Sequence, residues 1–151
     1  MAFAVVGIIG HFSKTLLLFF VPQTFNFIYS CPQLFGLVPC PRHRLPKFNE
    51  ALNACEPSWA VFSKPIPRLG RLVLEVFAAL RLVRVQRDPA RQGQIVACTN
   101  LTLLNLLLVT FGPMPEKQLT ECMLAVQVAA SALAFAIRYG AASYFYDATR
   151  R

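Results

Sequence analysis

A long uncharged stretch at residues 15–38 constrains this chain more than any other feature. Its sequence, TLLLFFVPQTFNFIYSCPQLFGLV, contains no charged side chain. Because a helix needs about 20 apolar residues to cross the hydrocarbon core of a bilayer, this stretch is predicted to be a transmembrane helix. Pro22 and Pro32 are expected to kink it, and Gln23 and Asn26 are expected to face protein rather than lipid.

Composition also indicates a membrane protein. Of the 151 residues 56% are hydrophobic, and the mean hydropathy is +0.49, which is high for a soluble domain. A second span is predicted from about Leu119 to Ile137, and residues 1–10 look like the end of a further helix because they are too few to cross a bilayer. The predicted fold class is an all-α polytopic membrane protein fragment, with two full transmembrane helices and a partial N-terminal one.

A basic loop separates the two predicted spans. It carries most of the 15 lysine and arginine residues, and an excess of these residues marks loops on the cytoplasmic side of a membrane. We therefore predict that the loop is cytoplasmic and that both chain ends lie across the membrane. The predicted divisions are membrane helices at 1–38, the loop at 39–117, a last membrane helix at 118–140 and a tail at 141–151.

The large loop is predicted to be structured. Residues 71–85 and 99–111 are strongly apolar with scattered polar positions, which indicates two amphipathic helices. Thr99 or Asn100 is expected to cap the second helix. Two short segments rich in β-forming residues are expected to form a small β-hairpin: Trp59–Ser63 and Gln94–Cys98.

The formal net charge of +8 bears on the choice of partner. The sequence contains no recognisable RNA- or DNA-binding module, so we expect no nucleic-acid partner. Because the basic residues lie beside apolar segments, anionic membrane lipid or a phosphorylated substrate is the favoured partner. A basic membrane-surface or nucleic-acid binder is an alternative that rests on net charge alone.

The five cysteines do not indicate a metal centre or a disulfide framework. No two of them form a Cys-X-X-Cys pair, so free, reduced thiols are expected. Cys40 and His43 could supply half of a metal site, but the other half has no candidate. No metal ligand is therefore predicted within this chain.

A proline-rich basic motif, PCPRHRLP at residues 39–46, follows the first span directly. The prolines restrict the backbone, so Arg42, His43 and Arg44 are expected to project from a stiff loop at the membrane surface. Guanidinium groups match phosphate oxygens with two parallel hydrogen bonds, which is chemistry suited to a diphosphate. The alternative from spacing alone is that Arg42 and Arg44 are ordinary cytoplasmic anchors of a membrane helix.

Four segments of the sequence are similar to segments of one known enzyme family. They are MAFAVVGIIGHFSKTLLLFFVPQTFNFIYS, PQLFGLVPCPRHRLPKFN, CTNLTLLNLLLVTFGPMPEKQLT and AFAIRYGAASYFYD. These segments resemble the eukaryotic UDP-N-acetylglucosamine:dolichyl-phosphate N-acetylglucosaminephosphotransferases, a family within the polyprenyl-phosphate N-acetylhexosamine-1-phosphate transferase superfamily. Agreement is weakest between residues 50 and 93.

This resemblance implies a multi-pass protein of the endoplasmic reticulum membrane with a cytoplasmic active site. The family transfers N-acetylglucosamine 1-phosphate from UDP-N-acetylglucosamine to dolichyl phosphate and releases UMP, the first step of lipid-linked oligosaccharide synthesis for N-glycosylation. The resemblance further implies that the complete enzyme is a ten-helix protein that forms a homodimer, and that this chain is its C-terminal fragment. Carried over from the family motif, Arg42, His43 and Arg44 are expected to contact the diphosphate and the N-acetylglucosamine.

The resemblance also implies what this chain lacks. Catalysis in the family uses Mg²⁺, whose ligands include an Asn on a cytoplasmic loop and an Asp in a Gly-Asp-Thr-Phe segment. Neither segment occurs in this sequence, so no catalytic residue is assigned and the chain alone is expected to be inactive. The alternative function is a short membrane interaction protein that associates with the full-length enzyme.

Overall fold

A computed structural model describes Val5, Ile9 and residues 13–63, 65–89 and 93–141. In chain order its elements are α1 (Ser13–Phe19), α2 (Val21–Leu34), β1 (Lys47–Asn49), β2 (Ala54–Glu56), β3 (Trp59–Val61), α3 (Arg68–Ala79), β4 (Val85–Asp88), β5 (Gln94–Thr99), α4 (Leu103–Phe111) and α5 (Glu116–Ala136), followed by a π-helical turn at Ile137–Ala141. Residues 142–151 of the predicted tail (141–151) lie outside the described residues. The described part of the chain is rich in helix, and its loop contains five short strands, which is more β structure than the small hairpin that the sequence predicts.

The predicted span at 15–38 is divided into two helices. Phe20 interrupts the helix, and its N–H donates to the carbonyl of Leu17 at 3.1 Å, a tighter turn than that of an α-helix. Pro22 is the second residue of α2, where its missing N–H costs no bond because it lies in the first turn. Gly36, with φ of +71°, adopts the left-handed conformation that ends the second helix.

One helix in the described part of the chain is long and apolar enough to cross a membrane. It runs from Glu116 to Gly140 and includes the second span predicted from sequence. The first predicted span is not confirmed as a single helix of that length, because α1 has 7 residues and α2 has 14.

Two compact units make up the chain. The first comprises Met1–Phe25 and Met123–Arg151. Within it the Gln23 side-chain amide donates to Gln127 Oε1 at 3.1 Å, and Gln127 in turn donates to the carbonyl of Phe19 at 3.1 Å. The prediction that Gln23 faces protein is confirmed.

The second unit, Asn26–Cys122, holds the loop structure. Strands β3, β5 and β4 form an antiparallel sheet in that order, and β1 pairs with β2 in a separate hairpin. The segments predicted to pair, around Trp59 and Cys98, do pair through β3 and β5. They are not a simple hairpin, however, because α3 and β4 lie between them in the chain.

Helix boundaries in this unit differ from those predicted. The first amphipathic helix ends at Ala79, since Leu80 is its C-cap and Arg81 adopts a left-handed φ of +58°. The second begins at Leu103, and its cap is Thr102, whose hydroxyl accepts from the N–H of Asn105 at 3.4 Å. The prediction of Thr99 or Asn100 as cap was wrong.

A single hydrophobic cluster joins α2, α3, β3 and β5. Its fully buried members include Leu74 on α3, Cys98 on β5 and Leu101 just after β5. The same cluster includes Val38, the residue before the 39–46 loop. The start of that loop is thus fixed by the core.

Candidate functional site

The 39–46 loop presents its three candidate side chains differently. Arg42 and His43 are exposed, whereas Arg44 is partly buried. The sequence predicts that all three project outward together. The structure brings Arg42 and His43 to the surface but turns Arg44 into the protein.

The guanidinium group of Arg44 is held by two neighbouring elements. Its Nη2 atom donates to Gln33 Oε1 on α2 at 3.0 Å and to the carbonyl of Leu101 at 2.8 Å. These are charge-assisted bonds in a partly buried place, where they are stronger than at an exposed surface. Arg44 therefore ties the loop to both α2 and the segment after β5.

The backbone of Arg44 is fixed as well. Its carbonyl accepts from Ser58 Oγ at 3.2 Å and from Asn105 Nδ2 at 2.9 Å. Because the side chain and the carbonyl are both held, rotation of this residue is strongly restricted. Arg42 and His43 consequently extend from a loop whose next residue is immobilised.

The anchors of Arg44 belong to one buried polar network, defined by Gln33, Ser58, Asn100 and Asn105. Gln33 Nε2 donates to Asn100 Oδ1 at 3.1 Å, and Asn100 Nδ2 donates to Ser58 Oγ at 2.8 Å. Asn105 Oδ1 accepts from the Ser58 N–H at 2.9 Å. All four residues are buried, and each uses its polar groups within the network, as buried polar side chains must.

Gln33 has a central position in this network. Its Oε1 accepts from Arg44 and also from the N–H of Leu101 at 2.9 Å. Ser30, one turn earlier on α2, donates to the Leu101 carbonyl at 2.6 Å. The end of α2 is thus joined by hydrogen bonds to the segment that follows β5.

Sequence reasoning missed this network. Its available signal was a set of amides and hydroxyls within apolar segments: Gln33, Ser58, Asn100 and Asn105. Polar residues inside such segments indicate internal hydrogen bonding. Their partners are far apart in the chain, however, and the spacing does not reveal which residues meet.

One polar atom of Arg44 stays unsatisfied. Its Nε is buried and has no hydrogen-bond partner in the part of the chain that the structure describes. Most buried nitrogen atoms have a partner, so this guanidinium retains donor capacity beyond its structural bonds.

The thiol of Cys98 is held in its neutral form by burial. Cys98 is fully buried on β5, and burial raises the pKa of its thiol from 9.0 to about 12. The charged thiolate is disfavoured because the core cannot solvate it. All five cysteines are free, and Cys40 in the 39–46 loop is exposed.

The described residues offer no cluster of metal ligands. Among them no group of three or more His, Cys, Asp or Glu side chains is close enough to hold a metal ion. Mg²⁺ takes oxygen ligands, which in a protein are chiefly carboxylates. No step of chemistry is assigned to a metal held by this chain.

Comparisons with known proteins match nearly the whole chain to one kind of enzyme. It is 48% identical over 149 residues to a UDP-N-acetylglucosamine–dolichyl-phosphate N-acetylglucosaminephosphotransferase of Schizosaccharomyces pombe, which covers 97% of this chain. It is likewise 48% identical over 150 residues to the protein of that name from Saccharomyces cerevisiae, and 43% identical over 139 residues to that from Dictyostelium discoideum. The resemblance predicted from the sequence is confirmed.

The match covers nearly all of this chain but only part of each relative. The chain spans 33% of the length of each of the two fungal relatives and 24% of the Dictyostelium protein. No protein-family model matches it. The similarity therefore relates the chain to one part of these enzymes.

Proposed function

We propose, from the premise that this chain corresponds to about a third of a UDP-N-acetylglucosamine–dolichyl-phosphate N-acetylglucosaminephosphotransferase, that it supplies the loop that covers the sugar nucleotide. The complete enzyme transfers N-acetylglucosamine 1-phosphate from UDP-N-acetylglucosamine to dolichyl phosphate and releases UMP. The observation that carries the proposal is the 48% identity over 97% of the chain, together with the exposed Arg42 and His43 beside an anchored Arg44.

Each residue of the motif has a distinct part in this proposal. The Arg42 guanidinium binds diphosphate oxygens, because its planar fork can make two parallel hydrogen bonds to them. His43 both donates to and accepts from sugar hydroxyls as a neutral imidazole. Arg44 keeps the loop in place through Nη2, and its remaining donors add a third contact to the diphosphate.

The membrane setting belongs to the same proposal. The helix Glu116–Gly140 crosses the endoplasmic reticulum membrane, and α1 and α2 together form a second, broken span. The loop faces the cytoplasm, where the nucleotide sugar is bound. The complete enzyme is multi-pass and homodimeric, and Mg²⁺, held by residues outside this chain, would neutralise diphosphate charge.

A hybrid enzyme tests the roles of the loop. In it, this chain replaces the matching third of the S. pombe relative, and transfer of labelled N-acetylglucosamine 1-phosphate is measured. Because one charge-assisted contact contributes about 1.5–3 kcal/mol, Arg42→Ala is expected to lower kcat/KM by roughly tenfold to a hundredfold without lowering the unfolding temperature. His43→Ala should also lower kcat/KM.

Two further variants make the test specific. Lys47→Ala removes an exposed cation just after the loop and should leave kcat/KM unchanged. Arg44→Ala should lower both kcat/KM and the unfolding temperature, since it also removes the bonds to Gln33 and Leu101. Equal activity of the Arg42→Ala and Lys47→Ala hybrids would overturn the assignment of the loop.

A further inference from the structure

One face of α3 is apolar and exposed. Leu69, Leu72, Val76 and Leu80 are all exposed large hydrophobic residues, with Leu72 at 57% and Leu80 at 62% exposure. Their spacing of three, four and four residues places them in one line along a helix with 3.6 residues per turn. We call these four residues the α3 stripe.

The stripe is not the face that holds α3 in the fold. Gly70 and Leu74 are the buried residues of the helix, and Phe77 and Ala78 pack against the hydrophobic cluster. Gly70, Leu74 and Ala78 lie on the other side of the helix from the stripe, and Phe77 lies between the two faces. The fold of the second unit therefore leaves the stripe unused.

Cations flank both ends of the stripe. Arg68 is the first residue of α3 and Arg81 follows its C-cap, and both are exposed. Arg81 and Arg84 also line one cleft of about 480 Å³ at that end. An apolar line with arginines at its ends is complementary to a bilayer surface that carries anionic head groups.

The candidate membrane span Glu116–Gly140 begins a short distance along the chain from this surface. Arg84 Nη2 donates to the carbonyl of Val109 at 3.1 Å, and Val109 precedes the apolar helix Glu116–Gly140 by a short segment. An extended chain advances at most about 3.6 Å per residue, so the Arg81–Arg84 cleft lies within roughly 25 Å of the start of that helix.

We infer that the α3 stripe lies in the interface of a membrane that contains anionic lipid, with Arg68, Arg81 and Arg84 at the head groups. This docking rests on the proposed membrane setting of the helix Glu116–Gly140, but it requires no substrate. It holds the second unit at the bilayer surface through apolar burial and arginine contacts to phosphate.

Single-tryptophan fluorescence tests the docking. The chain has one tryptophan, so a Trp59→Phe background allows one probe at a time in the intact chain, reconstituted in nanodiscs with and without brominated lipid. Leu72→Trp and Val76→Trp place the probe on the stripe. Arg71→Trp is the matched control, because Arg71 is exposed on the same helix but lies off the stripe.

If the stripe inserts into the interface, brominated lipid should lower the fluorescence of both stripe probes by about twofold or more. It should lower the fluorescence of the Arg71→Trp control far less. The difference should be larger in bilayers of phosphatidylserine than in phosphatidylcholine alone. The difference between stripe and control probes should shrink in the double variant Arg68→Gln, Arg81→Gln. The single variant Lys47→Gln should leave it unchanged. Circular dichroism of each variant checks that the fold is kept.

Two results would overturn the inference. Stripe probes that are shielded from aqueous iodide but not quenched by brominated lipid would show that protein, such as a second copy, covers the stripe. Stripe probes quenched by iodide as strongly as the control would show that the stripe faces water.

Discussion

At the scale of single residues, Arg44 is the structural centre of the candidate site. Its charge and its place beside Arg42 were evident from the sequence, and the 39–46 loop was found from its proline and arginine pattern alone. The direction of the Arg44 side chain was not evident, because it depends on hydrogen bonds to Gln33 and Leu101, which lie elsewhere in the chain. Local pattern thus identifies the loop, and tertiary hydrogen bonds decide which side chains it presents.

The buried network makes the first prediction. Asn100→Ala removes the acceptor of Gln33 and a donor to Ser58, so buried polar groups lose their partners. We expect the free energy of unfolding to fall by about 2–4 kcal/mol, measured by denaturation followed through Trp59 fluorescence. Gln86→Ala, at an exposed strand position, is the control and should change it little. Equal effects of the two substitutions would contradict the network's role.

Cys98 gives a prediction on pH. Burial raises the pKa of this thiol from 9.0 to about 12, so from pH 9 upward the unfolded chain loses this proton while the folded chain keeps it. Folding stability should therefore fall as pH rises through this window, by up to about 1.4 kcal/mol per pH unit. Cys98→Ala lacks this contribution.

Comparing the parent chain with Cys98→Ala isolates the contribution of this thiol to the pH dependence of stability. The difference in unfolding free energy between the parent chain and Cys98→Ala should be constant from pH 6 to 8 and should shift against the parent above about pH 9. Groups that titrate at high pH and do not interact with Cys98 behave alike in both proteins and cancel. A difference that stays constant up to pH 10.5 would contradict burial of a neutral thiol.

At the scale of elements, hydrophobic pattern predicted which segments are ordered better than where each one ends. The two loop helices and the β3–β5 pairing were predicted from their residues. The end of α3 depends on the left-handed Arg81, and the β1–β2 hairpin on short strands of three residues each. A strand of three residues is too short to show a clear alternation of apolar and polar side chains. Its stability comes from pairing with its neighbour, which the local sequence does not reveal.

Gly70 decides how closely α3 approaches the start of the 39–46 loop. A methyl group there would overlap the carbonyl oxygen of Leu37 and lie 2.8 Å from Ile66 Cγ2. Alanine normally favours a helix over glycine by about 1 kcal/mol, but this overlap involves backbone that cannot turn aside. Gly70→Ala is therefore expected to lower the unfolding free energy by about 1–3 kcal/mol.

The control for Gly70 is the reverse exchange at an exposed position of the same helix. Ala79→Gly should cost only the intrinsic preference of about 1 kcal/mol. Both variants are compared by thermal unfolding in the same detergent. Stabilisation by Gly70→Ala would show that α3 does not pack against Leu37 as the structure has it.

At the scale of the whole molecule, the chain is related to one part of an enzyme. The match to the S. pombe relative covers 97% of this chain and 33% of that protein. The resemblance found in the sequence predicted this relation, because the motifs of a family can be recognised in a segment of the protein.

The central claim is that this chain supplies the substrate-covering part of the transferase and depends on the rest of the enzyme for catalysis. The most direct measurement is transfer of labelled N-acetylglucosamine 1-phosphate to dolichyl phosphate in the presence of Mg²⁺, comparing the 151-residue chain with the hybrid that restores the other two thirds. We predict transfer by the hybrid and none by the chain alone. An inactive but folded hybrid, or substantial transfer by the chain alone, would contradict the account.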